Sequence, residues 1–91
     1  MSQFEILYHP LVIKNDIPSL PKVVRKKIFK AIENRLLTDP IKYGKPLRYS
    51  LKGHRRIRVG DYRVVYRIIP PRQVLILVIC HRKDVYGIDR S

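Results

Sequence analysis

Residues 54–67 read HRRIRVGDYRVVYR and contain the clearest structural signal in the chain. Two β-prone runs flank Gly60-Asp61, and glycine supplies the positive φ that a two-residue hairpin turn needs. The stretch therefore predicts a β-hairpin. If Gly60 and Asp61 form its turn, Arg58 lies directly opposite Arg63.

The two faces of this hairpin differ sharply, because successive side chains of a strand point to opposite sides. The apolar face, suited to packing against helices, holds Ile57, Val59, Tyr62, Val64 and Tyr66. The basic face holds His54, Arg56, Arg58, Arg63 and Arg67. Like charges directly opposite each other destabilise a sheet. Folding alone does not explain Arg58 against Arg63, whereas a bound phosphate does, because guanidinium groups bind phosphate bidentately.

A third β-prone run, residues 73–81, is apolar at successive positions. This pattern predicts a central strand that is covered on both faces. Its register leaves two alternatives open. In one, Cys80 faces Arg63 and Arg82 projects to the basic side; after a slip of one residue, His81 projects there instead.

The first half of the chain predicts one strand and two helices. Residues 4–8 are β-prone, residues 11–17 form a short helix between two prolines, and Pro21 opens a longer helix with apolar residues at helical spacing. Residues 41–53 are predicted to be a loop. The expected fold class is α+β: a strand, a two-helix hairpin and a three-stranded antiparallel meander, with the helices packed on one face of the sheet. The whole chain, residues 1–91, is predicted to be one domain.

Composition excludes several classes of protein. The formal net charge is +13, so the expected partners are polyanions. The one cysteine, Cys80, cannot form an internal disulfide, and the longest apolar run, residues 74–80, is too short to span a membrane. The N-terminus lacks the pattern of a signal peptide. We therefore expect a soluble, cytoplasmic protein with no membrane partner.

Basic residues accumulate between positions 42 and 58 with no acidic residue among them. From this segment and the hairpin, the candidate RNA-binding residues are Lys45, Arg48, Lys52, His54, Arg55 and Arg67. The three histidines are scattered and no acidic pair has ligand spacing, so neither a metal site nor a cofactor is predicted.

Two motifs, RIRVGDYRVVY at residues 56–66 and HRKDVY at residues 81–86, resemble the RelE/ParE superfamily of bacterial and archaeal toxins. The likeness in element order covers residues 3–86. It implies a toxin of a type II toxin–antitoxin pair. RelE-type members are ribosome-dependent endoribonucleases that cut messenger RNA by attack of a ribose 2′-hydroxyl on the adjacent phosphate.

The same resemblance implies the partners. A small acidic antitoxin wraps the toxin, and the pair represses its own operon. The toxin would therefore bind operator DNA only as part of the complex. ParE-type members share the fold and poison DNA gyrase instead. A gyrase poison without nuclease activity and an inactive RNA-binding relative therefore stay open as alternatives.

Carried over position by position, the family pattern implies catalytic roles for Arg56, Arg58, Arg63, Arg82 and Tyr86. Arginine stabilises a charged transition state but does not release its proton, so the arginines are unsuited to proton transfer. Tyr86 is the candidate base by resemblance. A free tyrosine has a pKa of about 10 and needs cationic neighbours to ionise more easily. His81 is the rival acid or base, because imidazole titrates near neutrality.

Overall fold

A five-stranded sheet organises the residues that the computed structural model describes, which are 3–47 and 53–84. The strands are β1 (Glu5–Tyr8), β2 (Lys45–Pro46), β3 (Arg55–Val59), β4 (Tyr62–Ile69) and β5 (Gln73–His81). Their spatial order is β1-β5-β4-β3-β2, with β1 parallel to β5 and the other neighbours antiparallel. The helices are α1 (Lys22–Ala31) and α2 (Pro40–Tyr43), with π-helical segments at Val12–Asp16 and Ile32–Leu36 and a 3₁₀ turn at Arg82–Asp84.

The helices pack on one face of the sheet, and this confirms the predicted α+β class. Ile28, Ile32 and Leu36 follow one another on α1 and its π-helical continuation, and all three are buried. They form one core with Val64 and Ile76 of the sheet. Burying such a continuous apolar stripe is the main favourable contribution to the stability of a small domain.

The hairpin between β3 and β4 has the predicted register. Arg58 pairs with Arg63 and Val59 pairs with Tyr62 across the turn. Gly60 has φ +61°, the left-handed conformation that the turn requires. The predicted apolar face therefore lies against the helices.

The strand β5 is central, as predicted, and beside the hairpin turn it has the first of the two registers that the sequence left open, so that His81 does not project to the basic side. Cys80 pairs with Arg63 at one end, but a β-bulge shifts the pairing by one residue, so that Tyr66 pairs with Ile76. Leu77 is the extra residue and is fully buried. Because β5 is apolar on both faces, the bulge exposes no hydrophobic side chain.

The predicted loop at residues 41–53 is wrong in its first part, which forms the end of α2 and the short strand β2. The carboxylate of Asp39 accepts a hydrogen bond from the Lys42 amide (3.1 Å) and caps α2. The buried Tyr66 hydroxyl donates to the Pro40 carbonyl. A Cβ at Gly44 would overlap that hydroxyl, so glycine permits this close approach.

Candidate nucleic-acid interface

Four arginines share the face of the sheet that lies opposite the helices, and we call this set the arginine face: Arg56, Arg58, Arg63 and Arg67. Their placement follows from the register, because Arg58 is opposite Arg63 and Arg56 is opposite Val65. Val65 belongs to a small second apolar cluster, separate from the helix-covered core. Lys45 pairs with Arg56 and extends the basic surface onto β2.

The arginine face is not neutralised from within the described residues. In residues 3–47 and 53–84, no carboxylate lies within ion-pair distance of its four guanidinium groups. The Nε atoms of Arg63 and Arg67 are buried and have no hydrogen-bond partner within those ranges. A buried donor without a partner is unfavourable. An anion bound on this face would accept hydrogen bonds from guanidinium groups such as that of the exposed Arg58.

Arg58 and Arg63 face each other directly across the hairpin. The Arg58 carbonyl accepts a hydrogen bond from the Arg35 guanidinium (3.1 Å). This carbonyl therefore points away from β4. The pair is of the non-hydrogen-bonded type, in which side chains approach more closely. Two neighbouring cationic side chains on one face are suited to binding a phosphate group.

Arg82 follows β5 at the same end of the sheet, next to the hairpin turn. Its amide donates to the Asp61 carbonyl (2.8 Å). Its guanidinium Nε lies 3.9 Å from the Asp61 carboxylate, with both side chains exposed. Such an exposed ion pair is weak, so Asp61 orients Arg82 without removing it from solvent. Sequence reasoning assigned Asp61 only to the turn and missed this contact.

His81 is not brought together with the arginine face. It pairs with Tyr62 on the side of the sheet that the helices cover, and the two rings meet edge to face with centroids 5.3 Å apart. Its Nδ1 accepts from the Lys83 amide (3.3 Å). The open cleft beside it, about 240 Å³, is lined by Asp16, Leu20 and Asp84 among others. Because two carboxylates line this cleft, it is not suited to binding a phosphate.

Two other candidate residues are not available at the surface of the arginine face. His54 precedes β3 and is buried, so it offers little surface to a bound RNA, and its predicted place on the basic face opposite Arg67 stays a prediction. The Arg55 guanidinium donates to the carbonyls of Ile41 (2.9 Å) and Gly44 (2.8 Å), so it holds the end of α2. These two residues anchor the sheet edge. Three further candidates, Arg48, Lys52 and Tyr86, lie outside the described residues.

Metal sites and membrane-spanning helices are both absent from the described residues. In residues 3–47 and 53–84, no group of three His, Cys, Asp or Glu side chains is arranged to hold a metal ion. No helix in the same ranges is long and apolar enough to cross a membrane.

Comparison with known proteins identifies similar toxins. Residues 2–86 match the model of a family described as the ParE toxin of the type II toxin–antitoxin system parDE. The toxin RelG of Mycobacterium tuberculosis is 35% identical over 74 residues, which cover 80% of this chain and 85% of that relative. The toxin RelE of the same organism is 42% identical over 53 residues, 58% of this chain and 55% of the relative.

Solved structures agree with these sequence matches. The RelBE2 toxin–antitoxin complex of Mycobacterium tuberculosis contains a chain that is 30% identical, with a TM-score of 0.80, covering 92% of this chain and 97% of that one. A mutant of Escherichia coli toxin RelE in the free state is 20% identical, with a TM-score of 0.68, covering 93% and 88%. At 20% identity, the similarity to the Escherichia coli toxin shows a shared fold only.

Proposed function

Because this chain belongs to the ParE toxin family of type II toxin–antitoxin systems, we propose that it is an endoribonuclease that cleaves messenger RNA on the ribosome. The observation that carries this proposal is the arginine face, and above all Arg58 paired with Arg63 across the hairpin. Relatives named RelG and RelE support a RelE-type activity. The face fits an RNA backbone because its cations stay charged and lack an internal counter-ion among the described residues.

The proposed reaction is a transesterification within the RNA strand. The 2′-hydroxyl oxygen attacks the adjacent phosphorus, the bond to the 5′-oxygen breaks, and the products carry a 2′,3′-cyclic phosphate and a 5′-hydroxyl. Arg58, Arg63 and Arg82 stabilise the negative charge that develops on the phosphorane. In this scheme Tyr86 accepts the 2′-hydroxyl proton, a role that rests on the resemblance of residues 81–86 to the family motif.

Dependence on the ribosome follows from what the arginine face lacks. Among the described residues it offers cations for charge stabilisation but no histidine or carboxylate for strong general-base catalysis. Precise orientation of the 2′-hydroxyl has to supply the remaining acceleration, and positioning alone contributes several kcal/mol. A message held in the ribosomal decoding site is oriented in this way.

The test is a cleavage assay with translating ribosomes and a defined message. We expect Arg63→Ala to lower the cleavage rate by about 10²–10³, the usual loss when one charge-stabilising donor is removed. Arg72→Ala, in the exposed turn between β4 and β5, removes the same charge and should retain activity. Equal rates in the wild-type and Arg63→Ala proteins would refute the proposed role of the arginine face.

A small acidic antitoxin is the proposed partner. The net charge of +13 favours an acidic partner, and similar solved structures from Mycobacterium tuberculosis and Methanococcus jannaschii are toxin–antitoxin complexes. Co-expression of the chain with an acidic protein from the adjacent reading frame should give a stable complex and suppress cleavage. In this proposal the chain binds operator DNA only as part of that complex.

Poisoning of DNA gyrase is the second candidate function, and the specific observation in its favour is that the matching family model is that of ParE. The two functions predict different damage in growing cells. A gyrase poison leaves messenger RNA intact and induces DNA breaks, whereas an endoribonuclease shortens messages before any DNA break appears.

A further inference from the structure

We propose that Arg35 is a positioning residue that holds the Arg58 segment of β3 in place for RNA cleavage; this inference rests on the proposed function. Arg35 lies on the π-helical segment that continues α1, on the opposite side of the sheet from the arginine face. It does not touch the RNA in this proposal. It acts through the backbone of Arg58.

The contact is a side-chain hydrogen bond between elements that are distant in sequence. The Nη1 atom of Arg35 donates to the Arg58 carbonyl at 3.1 Å, and the two residues are 23 positions apart. Among the described residues, β2 pairs with β3 only at Arg55 and Arg56. The neighbouring strand therefore ends before Arg58, and Arg35 donates where the next strand residue would have donated.

This segment of β3 needs such support. Arg58 and Arg63 repel each other across the hairpin, and the repulsion acts at the end of a strand whose outer edge has no strand beside it among the described residues. A hydrogen bond from a charged donor is about twice as strong as a neutral one. Arg35 therefore fixes the backbone from the helix side while both guanidinium groups of the pair remain available to an anion.

The test compares two arginines that make the same kind of contact. The Arg25 guanidinium donates to the Leu20 carbonyl (3.2 Å), away from β3, so Arg25→Ala is a matched control for loss of charge and of a carbonyl contact. In the ribosome-dependent assay we expect Arg35→Ala to lower kcat about 10- to 100-fold with little change in KM, because a misplaced catalytic group costs that much. Arg35→Lys, which can still donate, should recover part of the loss.

A double-mutant cycle separates positioning from general stability. If Arg35 acts through Arg58, then Arg35→Ala causes no further loss of kcat in an Arg58→Ala protein. Losses that simply multiply, or equal effects of Arg25→Ala and Arg35→Ala, would overturn the proposal.

Hydrogen exchange gives a readout that does not depend on cleavage. Arg35→Ala should speed amide exchange at the Val59–Tyr62 end of the hairpin, and Arg25→Ala should not. If the wild-type protein does not cut RNA at all, the proposed function fails, and the exchange data still decide whether Arg35 holds the strand. Unchanged exchange in Arg35→Ala would refute the positioning role by itself.

Discussion

Tyr66 shows how one side chain connects the core of this protein to the edge of its sheet. Its ring is fully buried among the helices, and its hydroxyl donates to the Pro40 carbonyl at the start of α2. Burial raises the pKa of this phenol above its usual value, and the nearby Arg55 guanidinium opposes the shift only in part. The protonated hydroxyl is therefore the form that the fold selects.

We predict that Tyr66 makes folding sensitive to alkaline pH. Because the pKa is raised in the folded protein, this contribution to the free energy of unfolding is complete below about pH 10 and is lost as the pH rises through the folded value. Urea unfolding at increasing pH tests this. Tyr66→Phe should be less stable than wild type at neutral pH, because it lacks the bond to Pro40, but should lose less stability in alkali.

The control for this experiment is Tyr8, whose pKa is also raised, by burial and by Glu33. Tyr8 remains in the Tyr66→Phe protein, so this variant should still lose some free energy of unfolding in alkali, but less than the wild type loses. If wild type and Tyr66→Phe lose stability in parallel above about pH 10, the assignment to Tyr66 is wrong.

The strand β3 places two adjacent arginines on opposite faces, and this alternation separates a structural role from a proposed binding role. Arg55 donates to the carbonyls of Ile41 and Gly44 and so fixes the end of α2. Arg56 lies on the arginine face beside Lys45. Both residues belong to the same basic run in the sequence, and only the pleat of the strand distinguishes them.

We predict opposite outcomes for the two alanine variants. Arg55→Ala should lower the free energy of unfolding by about 1–3 kcal/mol, because two backbone carbonyls lose a charged donor, while binding of RNA changes little. Arg56→Ala should change stability by no more than about 0.5 kcal/mol, as is usual for surface positions, and should weaken binding. Urea unfolding and filter binding measure the two effects. A loss of RNA affinity in Arg55→Ala at full stability would return Arg55 to the binding surface.

How far the sequence predicts each element depends on how local its determinants are. The β3–β4 register was predictable because Gly60 and Asp61 fix the turn between one apolar and one basic face. The register of β5 was not, because a strand that is apolar on both faces accepts either alignment. The helix α2 and the strand β2 depend on contacts with Tyr66 and Arg55, which are far away in sequence.

The candidate site follows the same division. Alternation along the hairpin was sufficient to place Arg56, Arg58, Arg63 and Arg67 on one face, and the register confirms the pairing of Arg58 with Arg63. The contact from Arg35 was not predictable, because a basic residue on an amphipathic helix carries no signal for the distant strand that it contacts. The catalytic roles of these residues stay predictions.

The whole molecule combines a net charge of +13 with a face on which the cations are aligned and lack internal counter-ions among the described residues. Charge spread evenly over the surface would attract any polyanion, whereas an aligned set fixes how many phosphates are bound. Counting the phosphates therefore separates a binding surface from general electrostatic attraction.

We predict that this count appears in the salt dependence of RNA binding. For a single-stranded RNA, the logarithm of the affinity should fall linearly with the logarithm of the salt concentration, with a slope of about −0.7 for each phosphate contacted. An RNA with 2′-deoxyribose at the cleavage position prevents cutting and permits an equilibrium measurement. Arg58→Ala and Arg63→Ala should each lower the magnitude of the slope by up to about 0.7, since both residues contact the same phosphate, whereas Arg72→Ala removes equal charge outside the arginine face and should leave the slope unchanged. Equal slopes in all four proteins would mean that net charge alone attracts the RNA, and the arginine face would then have no specific part in binding.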